Sequence, residues 1–171
     1  MKSITSAVIG VMALGSTAFA QGKPAVVTPP AKPTGEVVLT CPAGTKQVGG
    51  AKSVFEASGC MRLGQDGSRI FHGPYVAYWP NGTKQAEGQF ENSFRTGAWA
   101  FFDEKGVKTG ETSFRGDHYD GLRVEFHANG QKKLEETYVL GKRQGAQLTF
   151  DVTGKQIAKI DYVDDRPVAA K

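Results

Sequence analysis

The chain has 171 residues, 39% of them hydrophobic and 22% charged, with a formal net charge of +4. That length allows one globular unit plus appendages. So mild a positive balance predicts no nucleic-acid partner, and no apolar stretch reaches the roughly 20 residues of a membrane-spanning helix.

Residues 1–20 carry one early cation, Lys2, an apolar run from Ala7 to Leu14, and Ala18-Phe19-Ala20 before Gln21. This pattern predicts a secretory signal peptide with an A-x-A cleavage site, too short for a permanent span. Its removal takes one positive charge away, and the mature protein is expected in the periplasm or outside the cell. Residues 21–40 hold Pro24, Pro29, Pro30 and Pro33 among Ala, Lys, Val and Thr, the composition of an extended linker that cannot bury enough surface to fold.

Cys41 and Cys60 are the two cysteines of the chain. An oxidising compartment predicts one disulfide between them, contributing about 3 kcal/mol on the loop-entropy argument. A C-x-x-C redox pair is absent, and a zinc site lacks ligands. Val54-Phe55, then Gly59, echo the repeat that follows, so residues 41–72 read as a degenerate first repeat that caps the stack. Terminal repeats differ because nothing stacks on their outer side.

From residue 73 to 168 the chain repeats four times. Glycines stand at 73, 97, 121 and 145, each 24 residues after the last, and a second series follows at 82, 106, 130 and 154. Tyr78, Phe102, Phe126 and Phe150 form one aromatic series, and Phe90, Phe114, Tyr138 and Tyr162 a second. Residues before the inner glycine alternate with period two, as do those after it, so each unit predicts a hairpin of two short strands. Asn81-Gly82 and Asn129-Gly130 point to two-residue turns with both central residues at positive φ. The fold class expected is all-β: an elongated antiparallel sheet of stacked hairpins, with a disulfide-stapled N-terminal cap.

A lone hairpin is marginal in water. Stacking is therefore expected to line up the first aromatic series on one inner face with the second beside it, the leading glycines giving room for a neighbouring ring. At the far end, Asp164-Asp165-Arg166-Pro167 would blunt the open edge, and residues 169–171 are left as a tail.

Gly97-Ala98-Trp99 with Phe102, Gly106, Glu111 and Phe114, followed by the loop Gly141-Lys142-Arg143-Gln144-Gly145, resembles the MORN-type repeat, in its bacterial antitoxin-like variant. The likeness covers 73–168. It departs where the loop glycine seen at Gly141 becomes Ser93, Asp117 and Asp165. A second departure is at the aromatic after the leading glycine, present as Tyr75 and Trp99 but replaced by Arg123 and Gln147. The resemblance implies a single-layer antiparallel sheet used as an interaction or membrane-proximal scaffold, not a catalyst.

The residues themselves offer little chemistry. His72, His118 and His127 have no metal-ligand spacing, and Asp117-His118-Tyr119-Asp120 sits on an inter-repeat loop. There is no nucleophile elbow and no phosphate loop, so neither catalytic residue, metal nor small-molecule cofactor is expected. Glu87, Glu111 and Glu135 recur with Lys84, Lys108 and Lys132, which predicts cross-strand ion pairs rather than a glycosidase carboxylate pair.

What remains is surface. Tyr75, Trp79, Trp99 and Phe101 are expected to gather on the face opposite the core rings, with Arg123 further along, as an exposed binding patch. The alternative is that the linker or cap folds over these rings. The function expected is an exported, non-enzymatic scaffold for a protein partner or envelope component. Alternatives are an immunity or antitoxin-like inhibitor, a module for anionic membrane using Arg95, Arg115, Lys142 and Arg143, and a binder of carbohydrate or peptidoglycan.

Overall fold

The computed structural model describes residues 37–50 and 56–168. The signal-like segment, most of the proline-rich linker, Val54, Phe55 and the tail lie outside the described residues. Among the described residues there is no helix.

The cap contributes β1 (Lys46–Gly50) and β2 (Ala57–Leu63). The first unit is β3 (Arg69–Tyr78) with β4 (Lys84–Glu91), and the second β5 (Phe94–Phe102) with β6 (Lys108–Arg115). The third is β7 (His118–Phe126) with β8 (Lys132–Val139). In the fourth, β9 (Lys142–Arg143) and β10 (Gly145–Phe150) precede β11 (Gln156–Val163), and β12 (Arg166–Val168) closes the chain. Every neighbour pair is antiparallel, in sequence order, within one open sheet. The hairpin stack predicted from the 24-residue step is what forms.

The turns fall differently from expectation. Within each unit the inner glycine amide donates to the carbonyl three residues earlier, as Gly82 does to Trp79 (2.7 Å) and Gly106 to Asp103 (2.9 Å). Only the glycine is left-handed there, with φ of +80° at Gly82 and +81° at Gly106. This is a one-sided turn followed by a glycine bulge, so Lys105-Gly106 and Thr153-Gly154 make it as well as Asn-Gly does. The two-residue turns with both φ positive lie between units, at Asn92-Ser93, Gly116-Asp117, Leu140-Gly141 and Asp164-Asp165.

One extra residue after each inner turn decides which way the rings point. Ala77 pairs with Ala86 while Tyr78 pairs with Lys84, leaving Gln85 unopposed; Thr109, Lys133 and Ile157 are left over likewise. A shift of one residue sends everything beyond it to the other face. The two aromatic series therefore do not share a face, contrary to the sequence expectation. Gly73 faces Phe90 and Tyr75 faces Gly88, so the second series joins Tyr75, Trp99 and Phe101 on what we call the ring face. Tyr78, Phe102, Phe126 and Phe150 lie on the reverse face with Val76 and Val124. The same bulge brings Lys84 and Glu87 together within one strand (2.6 Å) and Lys132 with Glu135 (2.5 Å). Lys108 and Glu111 pair in the same way. These ion pairs are along strands rather than across them.

The leading glycines are not ring seats. In the joins between units three residues oppose one, as 97–99 oppose Gly88 and 120–122 oppose Ser113. Gly97 (φ +64°) and Gly121 (φ +109°) lie in these bulges, where a backbone bend that L-residues resist is the requirement. The glycines that do lie under rings are Gly59, beneath Tyr75 and Phe71, and Gly88, beneath Trp99.

Two sets of side-chain bonds stitch unit to unit. Between the unit-joining turns, Asp117 Oδ1 accepts from Arg95 N and Nε (3.0 and 2.8 Å), and Asp165 Oδ1 from Arg143 N and Nε (3.1 and 3.0 Å). Ser93 Oγ accepts from Phe71 N (3.1 Å). At the opposite edge Trp79 Nε1 donates to Phe102 O (3.0 Å) and Asn81 Nδ2 to Glu104 O (2.9 Å). His127 Nε2 and Phe150 O (3.0 Å), and Asn129 Nδ2 and Val152 O (2.6 Å), repeat this two units later. Asp103 and Asp151 in the alternate units instead accept from their own turns. The chemical period is thus two units.

Cys41 and Cys60 form the predicted disulfide, with Cα atoms 5.4 Å apart. It ties residues 37–45 to the reverse face, where Leu39 N donates to Gln47 Oε1 (2.7 Å) and Gln47 Nε2 to Val37 O (2.6 Å). Here Cys60 and Ser58 are fully buried. At the other end Pro167 faces Tyr162 in the pair next to the closing Val163 and Arg166 pair. Hydrogen-bonded and open pairs alternate, so the N–H that proline lacks is one that would have pointed to the free edge.

Candidate binding face

The ring face carries an unbroken ladder of aromatic contacts. Phe71 meets Tyr75 edge-on at 5.5 Å, Tyr75 meets Phe90 at 5.0 Å, and Phe90 meets Trp99 at 5.3 Å. Trp99 meets Phe114 at 6.1 Å, and Phe114 stacks on Tyr119 at 5.0 Å, which reaches Tyr138 at 5.0 Å. Edge-to-face and offset geometries are the ones ring quadrupoles favour. The ladder continues as cation–π contacts where an arginine replaces a ring: Arg95 lies 4.2 Å from the Phe114 centroid and Arg143 4.1 Å from that of Tyr162.

One row across the sheet explains the packing. Tyr75 pairs with Gly88; Trp99 pairs with Thr112, Thr112 with Arg123, and Arg123 with Glu136. Gly88 leaves a gap that the Trp99 indole fills: a Cβ built on Gly88 would lie 2.3 Å from it. Trp99 and Phe114 are only 5% and 4% exposed, and burying such a ring contributes roughly 1.5–3 kcal/mol. Its indole Nε1 donates to Gln89 O (3.2 Å), so the polar tip is satisfied within the stack.

Beyond Thr112 the row turns ionic. Arg123 Nη1 donates to Glu136 Oε1 (2.8 Å) and Nη2 to Glu125, while Lys133 Nζ lies 3.3 Å from Glu125 Oε2. Tyr138 Oη donates to Glu136 Oε2 (2.8 Å). Glu136 is 4% exposed, a depth at which a carboxylate needs these partners. Burial works against the charge on Arg123, yet Glu125 and Glu136 hold its pKa above the ordinary arginine value. Burial, and then the Glu136 carboxylate that accepts its proton, push the Tyr138 phenol up to about 12. Thr112 Oγ1 is buried without a partner among the described residues.

Of the residues singled out from sequence, Tyr75, Trp99, Phe101 and Arg123 share this face. Trp79 does not; its indole is spent joining two turns. The expected patch is also less exposed than foreseen, since Trp99 is core, while Tyr75 and Phe101 are half-buried at its surface. Burial raises the Tyr75 phenol pKa. Of the described N-terminal residues, Val37 and Leu39 lie against the reverse face beside Pro74 and Ala98. Glu136 escaped sequence reasoning because its column reads Gly88, Thr112, Glu136, Ile160 and never repeats a residue type. No group of His, Cys, Asp and Glu able to hold a metal occurs among the described residues.

The family model of the MORN repeat variant matches residues 71–92 and 119–139. The second match begins 48 residues after the first (119 − 71), so both fall on the units whose turns donate to the next. No curated protein matches the chain. MORN repeats are a non-catalytic kind of module that generally binds proteins or membranes. With the aromatic ladder, the hairpin stack and both matches in register, the chain carries repeats of the MORN type.

Proposed function

We propose that this chain is an exported, non-catalytic scaffold that docks a protein partner of the cell envelope on the apolar half of its ring face. The observation that carries this reading is the run of half-buried rings, Phe71, Tyr75, Phe90 and Phe101, anchored on the buried Trp99. Rings already held by their neighbours lose little freedom on docking, so their contact area converts efficiently into affinity. A protein is favoured over anionic lipid because three of the four loop cations are engaged: Arg95 with Asp117, Arg115 with Asp120 and Arg143 with Asp165. Export rests on the signal-like pattern of residues 1–20.

The test is site-specific photocrosslinking in the native host, with the reactive amino acid placed at position 75 or 101 and, as control, at Leu122 on the reverse face. A discrete protein adduct from 75 and 101 alone supports the proposal. Equal adducts from 122, or lipid adducts throughout, would sink it. An adduct to one small toxin, in strict one-to-one ratio, would identify the scaffold as an antitoxin-like inhibitor. Cell fractionation checks export.

A further inference from the structure

The gap that Gly88 leaves in the first unit is closed by Trp99. One unit later Thr112 stands in the place of Gly88, and the glycine is instead Gly110, in the place of Ala86, with no side-chain atom within 4 Å of where its Cβ would lie. Gly110 lies between Phe101 and Glu125, facing both, so two side-chain walls stand two strand spacings apart, roughly 10 Å, over a floor with no side chain. The residue in the position of Trp99 is Arg123, and its guanidinium is held to Glu125 and Glu136. The result is a concavity of about 480 Å³ with Phe101 and Tyr119 among its walls and Arg123, Glu125 and Lys133 at its rim.

We propose that this slot binds a neutral saccharide unit. Glu125 and Glu136 offset Arg123 and Lys133, two charges against two, so neither an anion nor a cation gains from the site as a whole. A pyranose presents an apolar ring face, which suits the Phe101 ring. It also presents hydroxyls that both donate and accept, which suits carboxylate oxygens beside unspent N–H groups; Arg123 has five and gives one to each glutamate. A hydrocarbon side chain from a partner peptide would strip water from these charges and return no hydrogen bond. The slot shares Phe101 with the proposed protein-docking face but not Phe71, Tyr75 or Phe90, so Tyr75→Ala separates the two.

The test is an NMR titration of the full mature chain with cellotetraose, chitotetraose and maltotetraose, alongside N-acetyl-tryptophanamide as a peptide-like probe. Saturable shifts at Phe101, Gly110, Tyr119 and Arg123 with at least one tetraose are expected. Glu125→Gln keeps the shape of the side chain and should weaken that binding about tenfold, one hydrogen bond to a charged group. Phe101→Ala should abolish it, and Tyr75→Ala should leave it unchanged. No saturable shift with any tetraose, tighter binding of the tryptophan probe at these residues, or binding indifferent to Glu125→Gln would overturn the proposal.

Discussion

The first two units and the last two have the same backbone and solve the same problem with opposite chemistry. At Tyr75 and Trp99 the ring face is filled by aromatic side chains lying over Gly59 and Gly88, and the gain is dispersion and burial. At Arg123 the same position carries a cation locked between two carboxylates, and at Gln147 it carries no charge at all. In the fourth unit β11 is exposed almost throughout, with Ile157 at 61% and Ile160 at 41%. The sheet is therefore a gradient from apolar core to polar platform, and the hairpin stack tolerates both because its backbone bonds are the same in each.

The largest expected effect is at Trp99. Trp99→Ala removes the keystone of the ladder and should cost about 3–5 kcal/mol in urea unfolding, whereas Gln147→Ala, in the same position two units on, should stay within about 0.5 kcal/mol. Equal losses would erase the distinction between the halves. Next comes Arg123→Leu, expected to cost about 3 kcal/mol by leaving Glu136 buried without its cation. Adding Glu136→Leu should recover most of it, and a double-mutant cycle measures the coupling.

Smaller effects appear as pH dependence. Tyr138 has a folded pKa of about 12 against an ordinary 10, so the unfolded chain loses that proton first. The stability it contributes is complete below pH 10 and falls away between 10 and 12. Tyr138→Phe should flatten that part of an alkaline stability profile. At the acid end, hydrogen bonds from the Arg95 side chain and then its backbone lower the Asp117 pKa, and those from the Arg143 backbone and side chain lower that of Asp165. Their contribution is present above the ordinary carboxylate range and is lost as pH drops through the depressed values. Both carboxylates are exposed, so salt should shrink the effect. Asp117→Asn with Asp165→Asn should leave an acid melting profile measurably shallower.

The step of 24, the glycines and the Cys41–Cys60 bridge could all be read from residue types, because each needs a particular residue: glycine for positive φ, cysteine for the bond. The facing of the rings could not. It depends on Gln85, Thr109, Lys133 and Ile157, which are four different residues, since an unopposed bulge position constrains space and not chemistry. Asn-Gly misled about the turns for a related reason. Asn81 serves the neighbouring turn through its amide and not through its own backbone angle. The slot was invisible because only the register shows Gly110 lying between Phe101 and Glu125.

The alternation of donor turns with acceptor turns sets a rule for how such a protein can grow or shrink. Excising a single hairpin would leave two like edges in contact, with Trp79 or His127 reaching for a carbonyl that belongs to the wrong kind of neighbour. Excising 48 residues restores every match. Length in this molecule is counted in couples.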